Sequence, residues 1–447
     1  VYDSFFNNGY KKTPANILLV VVKRFMEEGE YEEVSKILKS KLIGDIDLGK
    51  SLDKRIELIV NKIEGRKEKK RLFFCSAHWF TGGVERVLSN LFVKLKDNYE
   101  IILITPYTEK EGCIKLPKEI LHIEVSDDLF YNSYDFVIFS YALLLDVDVV
   151  IGCMNLFEKI LNFYKLAEGS KFKTVASNHE YYFYPYHNPY FHHIVKIREE
   201  AFQSVDAIVC LTNFSSIACD IYNNNGYLIP NPNTFQIQDN EIVFKKEKIV
   251  LCVGRFNDQV KRIDRILKCF KKVLIRIPDA KLVLVGKCDV NSLFSSDSNK
   301  TIKDLQIELK LPDSSISFVG ETKNMSKYYS KASLLLLASD NEGFPMVLNE
   351  AACFGVPAVC NYIPGIEDII SDGVNGYLTS QDDIETMADR VCDILGDNSL
   401  RVKLGEKAKG LAKRFEVEKI YKKWRILFET LMGNYSLEEQ KKLLKDN

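Results

Sequence analysis

Ser339-Asp-Asn-Glu342-Gly-Phe-Pro345-Met-Val-Leu-Asn-Glu350-Ala351 follows the apolar run Leu334–Leu337. The reading is a buried strand, a tight turn and a helix. Gly343 and Pro345 suit that turn, with Pro345 at or near the first helical position. Glu342 therefore falls in a strand-to-helix loop at the carboxyl edge of a sheet, the edge where open α/β sheets bind ligands. Glu350 follows about one and a half turns inside the helix. Free N–H groups at a helix start receive phosphate, and a carboxylate at each end of the turn can grip hydroxyls.

Working outward, the same alternation of short apolar runs and amphipathic helices extends in both directions. Ile249–Val253, Leu282–Val285, Ser317–Val319, Leu334–Leu337 and Ala358–Cys360 form one series. Ile263, Ile266, Leu267, Phe270, Val273 and Leu274 lie between the first two runs at helical spacing. An earlier series comprises Leu72–Cys75, Ile101–Ile104, Val147–Ile151, Thr174–Ala176 and Ala207–Leu211. Such alternation signals parallel βαβ units. Ile229-Pro-Asn-Pro-Asn233 reads as the linker between two doubly wound domains. The spacing predicts closing helices over Leu400–Phe415 and Val417–Leu431. The expected division is a helical extension over 1–66, Rossmann-like domains over 67–235 and 236–433, and a polar tail over 434–447. The extension shows Ile17, Leu18, Val21 and Phe25 on one face and Tyr31, Val34, Ile37 and Leu38 on a second segment, broken at Gly29. It reads as a helical hairpin or as a packing extension toward an upstream domain or partner, and Glu64–Arg71 as a solvated boundary.

Composition limits the function classes. The 447 residues suggest two or three domains. Lys plus Arg number 61 against 62 Asp plus Glu, so no global positive charge exists to hold nucleic acid. The 11 cysteines include no C-x-x-C pair, and Cys75, Cys153, Cys210, Cys252 and Cys360 sit in apolar runs. That pattern fits buried thiols in a reducing, cytoplasmic compartment rather than disulfides or a zinc site. No apolar run approaches a membrane span, and Ile17–Val22 is too short for one. The chain begins at Val1 rather than Met, as a trimmed chain or a piece of a longer one would.

The spacing of Glu342 and Glu350, E-x7-E, resembles the retaining glycosyltransferases of family 4, the group 1 glycosyl transferases. The downstream runs Ala351-Ala-Cys-Phe-Gly-Val-Pro357 and Asp372-Gly-Val-Asn-Gly376 match as well. The resemblance is strongest from Lys248 to Phe415 and does not cover 1–66. It implies the GT-B fold: two Rossmann-like domains facing across a cleft, the second binding donor and the first binding acceptor. It implies that Glu350 holds the ribose hydroxyls. Glu342 and the backbone of Gly343 and Phe344 would hold the transferred sugar, with Pro345, Met346 and Val347 also lining the donor site. The bland alternative is that both glutamates are helix-start charges.

Three more motifs gain meaning from that resemblance. Val253-Gly254-Arg255-Phe256 ends a strand, and Lys261 follows. Arg255 offers a fork of donors and Lys261 a point charge, and the family uses these positions to neutralise a diphosphate. The spacing is one residue longer than usual, and Arg262 stands where the family often has Gly. A surface ion pair with Asp258 or Asp264 is the plain alternative. Thr81-Gly82-Gly83-Val-Glu-Arg86 follows the first strand, and its glycines allow close backbone approach to a ligand. The family loop at this position faces the diphosphate and the acceptor; an ordinary tight turn is the alternative. Ser177-Asn-His179-Glu180 closes a strand where the family often places a His near the donor sugar. The resemblance implies that His179 joins Glu342, Arg255 and Lys261 as a catalytic residue, bonding a sugar hydroxyl or stabilising developing charge; a structural histidine is the alternative. His187, His192 and His193 follow among the aromatics of Tyr181–Phe191, which could line an acceptor pocket, touch a lipid headgroup zone or simply pack.

Asp146-Val-Asp148 formally reads D-x-D but enters a buried strand, and no metal is expected. Pro364-Gly365 replaces the family's Gly-Gly, and Asp368 stands where Glu is common, so this loop is expected to shape the sugar pocket differently. The resemblance thus implies a metal-independent hexosyltransferase using a nucleoside diphosphate sugar, with UDP foremost, and no separate cofactor. Its acceptor would be a bacterial surface glycan or lipid carrier at the inner membrane face. A sugar-nucleotide 2-epimerase, which usually lacks E-x7-E, and a non-catalytic scaffold subunit are the rivals.

Overall fold

The computed structural model describes residues 69–436 together with 439 and 443. Excepted are 78, 80–81, 107–113, 126–133, 136, 139–140, 143–144, 154–162, 164–169, 171, 180–191, 222–225, 238–246, 292, 294–299 and 437–438. The helical reading of 1–66, Thr81, Glu180, the aromatic run 181–191 and most of the polar tail therefore lie outside the described residues.

The first sheet contains β1 (Lys70–Cys75), β2 (Tyr99–Pro106), β3 (Leu121–Val125), β4 (Val149–Cys153), β5 (Lys173–Asn178), β6 (Ala207–Cys210) and β7 (Gly226–Leu228). They run parallel in the order β3-β2-β1-β4-β5-β6-β7. The second contains β8 (Ile249–Val253), β9 (Lys281–Val285), β10 (Ile316–Gly320), β11 (Leu334–Leu337), β12 (Ala358–Asn361) and β13 (Gly376–Thr379). It is parallel in the order β10-β9-β8-β11-β12-β13. In each sheet the strand order reverses beside the first strand, at β1/β4 and at β8/β11. Loops leaving the carboxyl ends there splay apart and open a crevice, so topology alone places a binding site at both points.

The described helices are α1 (Gly83–Leu95), α2 (His192–Ser204), α3 (Asn213–Asp220), α4 (Ile263–Arg276), α5 (Ile302–Glu308), α6 (Ser326–Lys331), α7 (Met346–Cys353), α8 (Ile384–Gly396), α9 (Asn398–Ala412) and α10 (Val417–Leu431). The helix expected over Leu400–Phe415 is α9 followed by a 3-10 turn, Lys413–Phe415.

One boundary is corrected. The sequence division placed α10 with the second domain, over 236–433. Its apolar face instead joins the core of the first: Ile420, Trp424, Leu427 and Phe428 pack with Leu91, Phe92 and Tyr99. Tyr421 donates to Asn98 at 2.7 Å, fixing the helix there. The chain thus crosses between domains twice. Asn233 ties the crossings together, donating its N–H to Phe415 O at 2.7 Å and its amide to Ala412 O at 2.8 Å.

Among the described residues, no helix is long and apolar enough to cross a membrane. The described cysteines are free thiols, eight of them buried.

Candidate active site at the switch points

The floor of the site is the crevice between β8 and β11. Gly254 and Arg255 leave β8, and the backbone of Gly254 donates to Val285 O at 3.0 Å. Gly286 opposes it at φ 127°, where any Cβ would strike the Gly254 carbonyl, so the two loops touch backbone to backbone. Arg255 points outward, with 75% of its side chain exposed and Asp258 its nearest carboxylate at 3.7 Å. Lys261 ends a short 3-10 turn, Gln259–Lys261. Its Nζ lies 2.6 Å from Glu342 Oε1, which also accepts from Ser339 Oγ at 2.7 Å. The surface pair weighed for Lys261 is therefore absent, and Arg262 makes the bond to Asp264.

Arg262 adopts φ 48°, ψ 56°, the left-handed region that favours glycine. An arginine thus occupies a conformation in which glycine is the unstrained residue. Strain of roughly 1–2 kcal/mol is offset by a forked bond to Asp264 (2.9 and 3.1 Å) and a bond to Asp340 (3.1 Å). Arg265, one helical turn on, is almost wholly buried. It donates to Asp382 at 2.7 Å, to Ala338 O at 3.2 Å and to Asp340. The hydrogen bond from Arg265 holds Asp382 below the usual carboxylate range. Together the two arginines staple the end of β11, and hence the Glu342 loop, to the start of α4.

Pro345 caps α7, and Phe344 is buried against Phe415 with ring centroids 5.5 Å apart. Met346 and Val347 pack at the edge of the second core. Glu350 is only 3% exposed. Its Oε2 accepts from Tyr329 OH at 2.6 Å, and its Oε1 from Thr234 Oγ at 2.6 Å and Arg86 Nη1 at 3.3 Å. Burial, reinforced by the Glu350 charge, pushes the Tyr329 phenol well above its usual range and keeps it a neutral donor.

The opposite wall comes from the first domain. Gly82 caps α1 and Gly83 begins it. A Cβ on Gly83 would sit 3.9 Å from Met346 Cγ, so the starts of α1 and α7 face each other. His179 follows β5, with Nε2 3.0 Å from Ser177 Oγ. Its buried Nδ1 has no partner among the described residues. Burial pushes its pKa down to about 4, so the ring is neutral at pH 7. Asp368 accepts from the Asn213 backbone and amide at 2.6 Å each, at the start of α3. A carboxylate there also meets the positive end of the helix. Gly365, at φ 96°, packs so close to Thr212 that a Cβ would lie 2.8 Å from its Oγ. The Pro364–Asp368 loop is thus bound to the first domain.

The structure gathers Gly254, Lys261, Glu342 and Gly343 at one switch point, and Gly83, Met346 and Glu350 along the interdomain seam. Arg255 stands beside them, engaged among the described residues only by Asp258. His179 contacts its own strand. Asp148 lies at the amino end of β4, bound to Lys70 at 2.8 Å and to the Arg71 N–H at 2.8 Å, on the edge opposite the site. Among the described residues, no group of three or more His, Cys, Asp or Glu could hold a metal ion. Sequence reasoning missed Thr234, Tyr329 and Arg265, whose partners in the site lie from 21 to 117 residues away. A buried arginine on the apolar face of α4 was the one available hint.

Residues 233–411 match the family described as Glycosyl transferases group 1. An uncharacterized glycosyltransferase of Haemophilus influenzae is 30% identical over 203 residues, 45% of this chain and 54% of that protein. The Campylobacter jejuni GalNAc-alpha-(1->4)-GalNAc-alpha-(1->3)-diNAcBac-PP-undecaprenol alpha-1,4-N-acetyl-D-galactosaminyltransferase is 27% identical over 231 residues, 51% of this chain and 61% of that protein. The chain spans about half the length of the curated relatives it matches. Sucrose-phosphate synthase of Thermosynechococcus elongatus has the same fold, with TM-score 0.68 at 18% identity over 82% of this chain and all of that one. So has Anabaena Alr3699/HepE in complex with UDP, with TM-score 0.64 at 16% identity over 81% of this chain and all of that one. The fold is GT-B.

Proposed function

We propose that this chain is a retaining glycosyltransferase of family 4 that moves a hexose from a nucleoside diphosphate sugar, with UDP as the nucleotide, to a glycan or lipid-linked acceptor. The observation that carries this reading is Lys261 bonded to Glu342 at the β8/β11 switch point, with Arg255 exposed beside it. Those groups suit a sugar whose hydroxyls meet Glu342 and whose diphosphate meets Lys261, Arg255 and the N–H groups opening α7. Glu350, with Tyr329 and Thr234 fixing its oxygens, is the ribose acceptor. His179 offers its unpartnered Nδ1 to a sugar hydroxyl.

In the reaction the bond from the anomeric carbon to the diphosphate oxygen breaks, and the acceptor oxygen bonds to the same face. The bonding pair leaves with the diphosphate, and the acceptor's proton ends on its oxygen or on solvent. Arg255 and Lys261 stabilise the charge that grows there, while the closed cleft orients the partners. The acceptor class and an inner-membrane workplace rest on the family resemblance alone, a warrant from analogy.

A thermal-shift screen of nucleotide sugars, followed by donor hydrolysis without acceptor, tests this. Stabilisation by one UDP-sugar and slow release of UDP with the anomeric configuration kept is the expected result. No shift and no hydrolysis with any donor overturns the reading, and an inverted product overturns its stereochemistry.

A further inference from the structure

We infer that Arg86 is the first domain's contact with the donor diphosphate, aimed across the cleft by Glu350. The inference deepens the donor reading above and rests on it. Arg86 and Glu350 stand 264 residues apart in sequence, on different domains, yet Nη1 reaches Oε1 at 3.3 Å. The placement has a geometric cause. Gly83 and Arg86 share a face of α1, three residues apart, and Met346 and Glu350 share a face of α7, four apart. Gly83 meets Met346 and the Arg86 side chain reaches Glu350, so the two helices start beside each other. Both positive helix ends therefore lie together, each with free N–H groups. Helical side chains lean toward their own N-terminus, which carries the Arg86 guanidinium toward that end.

Arg86 commits one donor of its fork to Glu350, and 44% of its side chain remains exposed. The remaining donors have no partner among the described residues and can take a phosphate oxygen. Glu350 retains capacity as well. A carboxylate accepts about four hydrogen bonds, and Tyr329, Thr234 and Arg86 supply three. A ribose hydroxyl can take the fourth without dislodging Arg86. The donor is then held from both domains at once, by the second through Lys261 and Arg255 and by the first through Arg86.

The rival role is that Arg86 merely neutralises the buried Glu350 charge. Calorimetry of the full chain with UDP, GDP and ADP, and with uridine, guanosine and adenosine, separates the two. For the diphosphate that the wild type binds, Arg86→Met should weaken affinity roughly 10–100-fold, leaving the matching nucleoside within about twofold. Arg86→Lys should recover part, since a point charge replaces a fork. In a Glu350→Gln background, Arg86→Met should still weaken the diphosphate at least several-fold. No added loss in that background, or equal weakening of nucleoside and diphosphate, overturns the proposal. Nucleoside binding by Arg86→Met reports that the folded site survives. A wild type that binds none of the three diphosphates overturns the donor reading itself, and this proposal falls with it.

Discussion

The two walls of the cleft hold their charged groups in different ways. On the second domain, Arg262 and Arg265 grip Asp264, Asp340 and Asp382, so the Glu342 loop has one geometry before any ligand arrives. On the first, Gly83 and Arg86 at the start of α1 meet Met346 and Glu350 of the opposing domain, while His179 is held by Ser177 of its own strand. On the reading proposed above, the leaving group meets a wall that is already braced, and the other wall is tied to it through the Arg86–Glu350 contact. Arg255 is the exception that sharpens the contrast, because it belongs to the fixed wall yet stands three-quarters exposed.

The largest expected effect falls on that exception. On the proposed reading Arg255→Ala removes a cation from the place where charge grows, so turnover should drop on the order of 10²–10³-fold. Among the described residues its one neighbouring carboxylate is 3.7 Å away and part exposed, and melting should barely change. Parallel loss of melting temperature and activity would mark Arg255 as structural and blur the contrast. Arg265→Met attacks the fixed wall directly. Removing one partner of a buried ion pair costs about 3–5 kcal/mol; here Asp340 and Asp382 reach solvent, so about 2–3 kcal/mol is expected. Denaturant unfolding reads that loss, and donor affinity should fall with it. A stable variant with normal affinity would show that the Glu342 loop needs no staple.

Much of the second domain was legible because its strands are unbroken apolar runs, and the Leu334–Leu337 run places Glu342 at the sheet edge unaided. The strands left out of the sequence reading were β3, β7 and β13, all at sheet edges. Edge strands are short or half-polar, as in Leu121-His-Ile-Glu-Val125, and the apolar run that marks a central strand is missing. Amphipathic spacing showed that α10 has a buried face but not which core receives it. The same limit hid Arg86. Its motif was visible at Thr81–Arg86, whereas its role depends on a carboxylate on the other domain. Arg265 sits among Ile263, Ile266 and Leu267, and only the fold brings Asp340 and Asp382 to it.

On the first wall, His179 gives a smaller and pH-dependent test. Burial depresses its pKa from 6.5 to about 4, so the folded chain favours the neutral ring. Between those values the unfolded chain binds the proton and the folded chain does not. Stability from this group is present above pH 6.5 and declines as pH falls through about 4, below which both states are protonated. For a ring that is only partly buried by surface exposure, about 1–2 kcal/mol is expected across that window. His179→Gln should flatten the slope of unfolding free energy there. An unchanged slope would mean that the ring is solvated and that its Nδ1 is not poised in a dry cleft.

The smallest expected effect is that of removing divalent metal, for which turnover should not change. A departing nucleoside diphosphate gains negative charge, and a metal held by a D-x-D motif is one way to offset it. Fixed cations and helix N–H groups are another. The second set is present where the comparison of walls requires it. Lys261 and Arg255 lie on the fixed side, with Gly83 and Arg86 opposite, and the starts of α1 and α7 between them. The D-x-D of this chain is spent elsewhere. Asp148 anchors Lys70 and the Arg71 N–H at the amino ends of the strands, and every ligand-facing loop leaves the carboxyl ends. Turnover after exhaustive chelation, with and without magnesium or manganese restored, is the measurement. Strict metal dependence that Asp148→Ala abolishes and Arg255→Ala spares would move the diphosphate to the other edge of the first sheet. The contrast between the two walls would then have to be drawn around a different site.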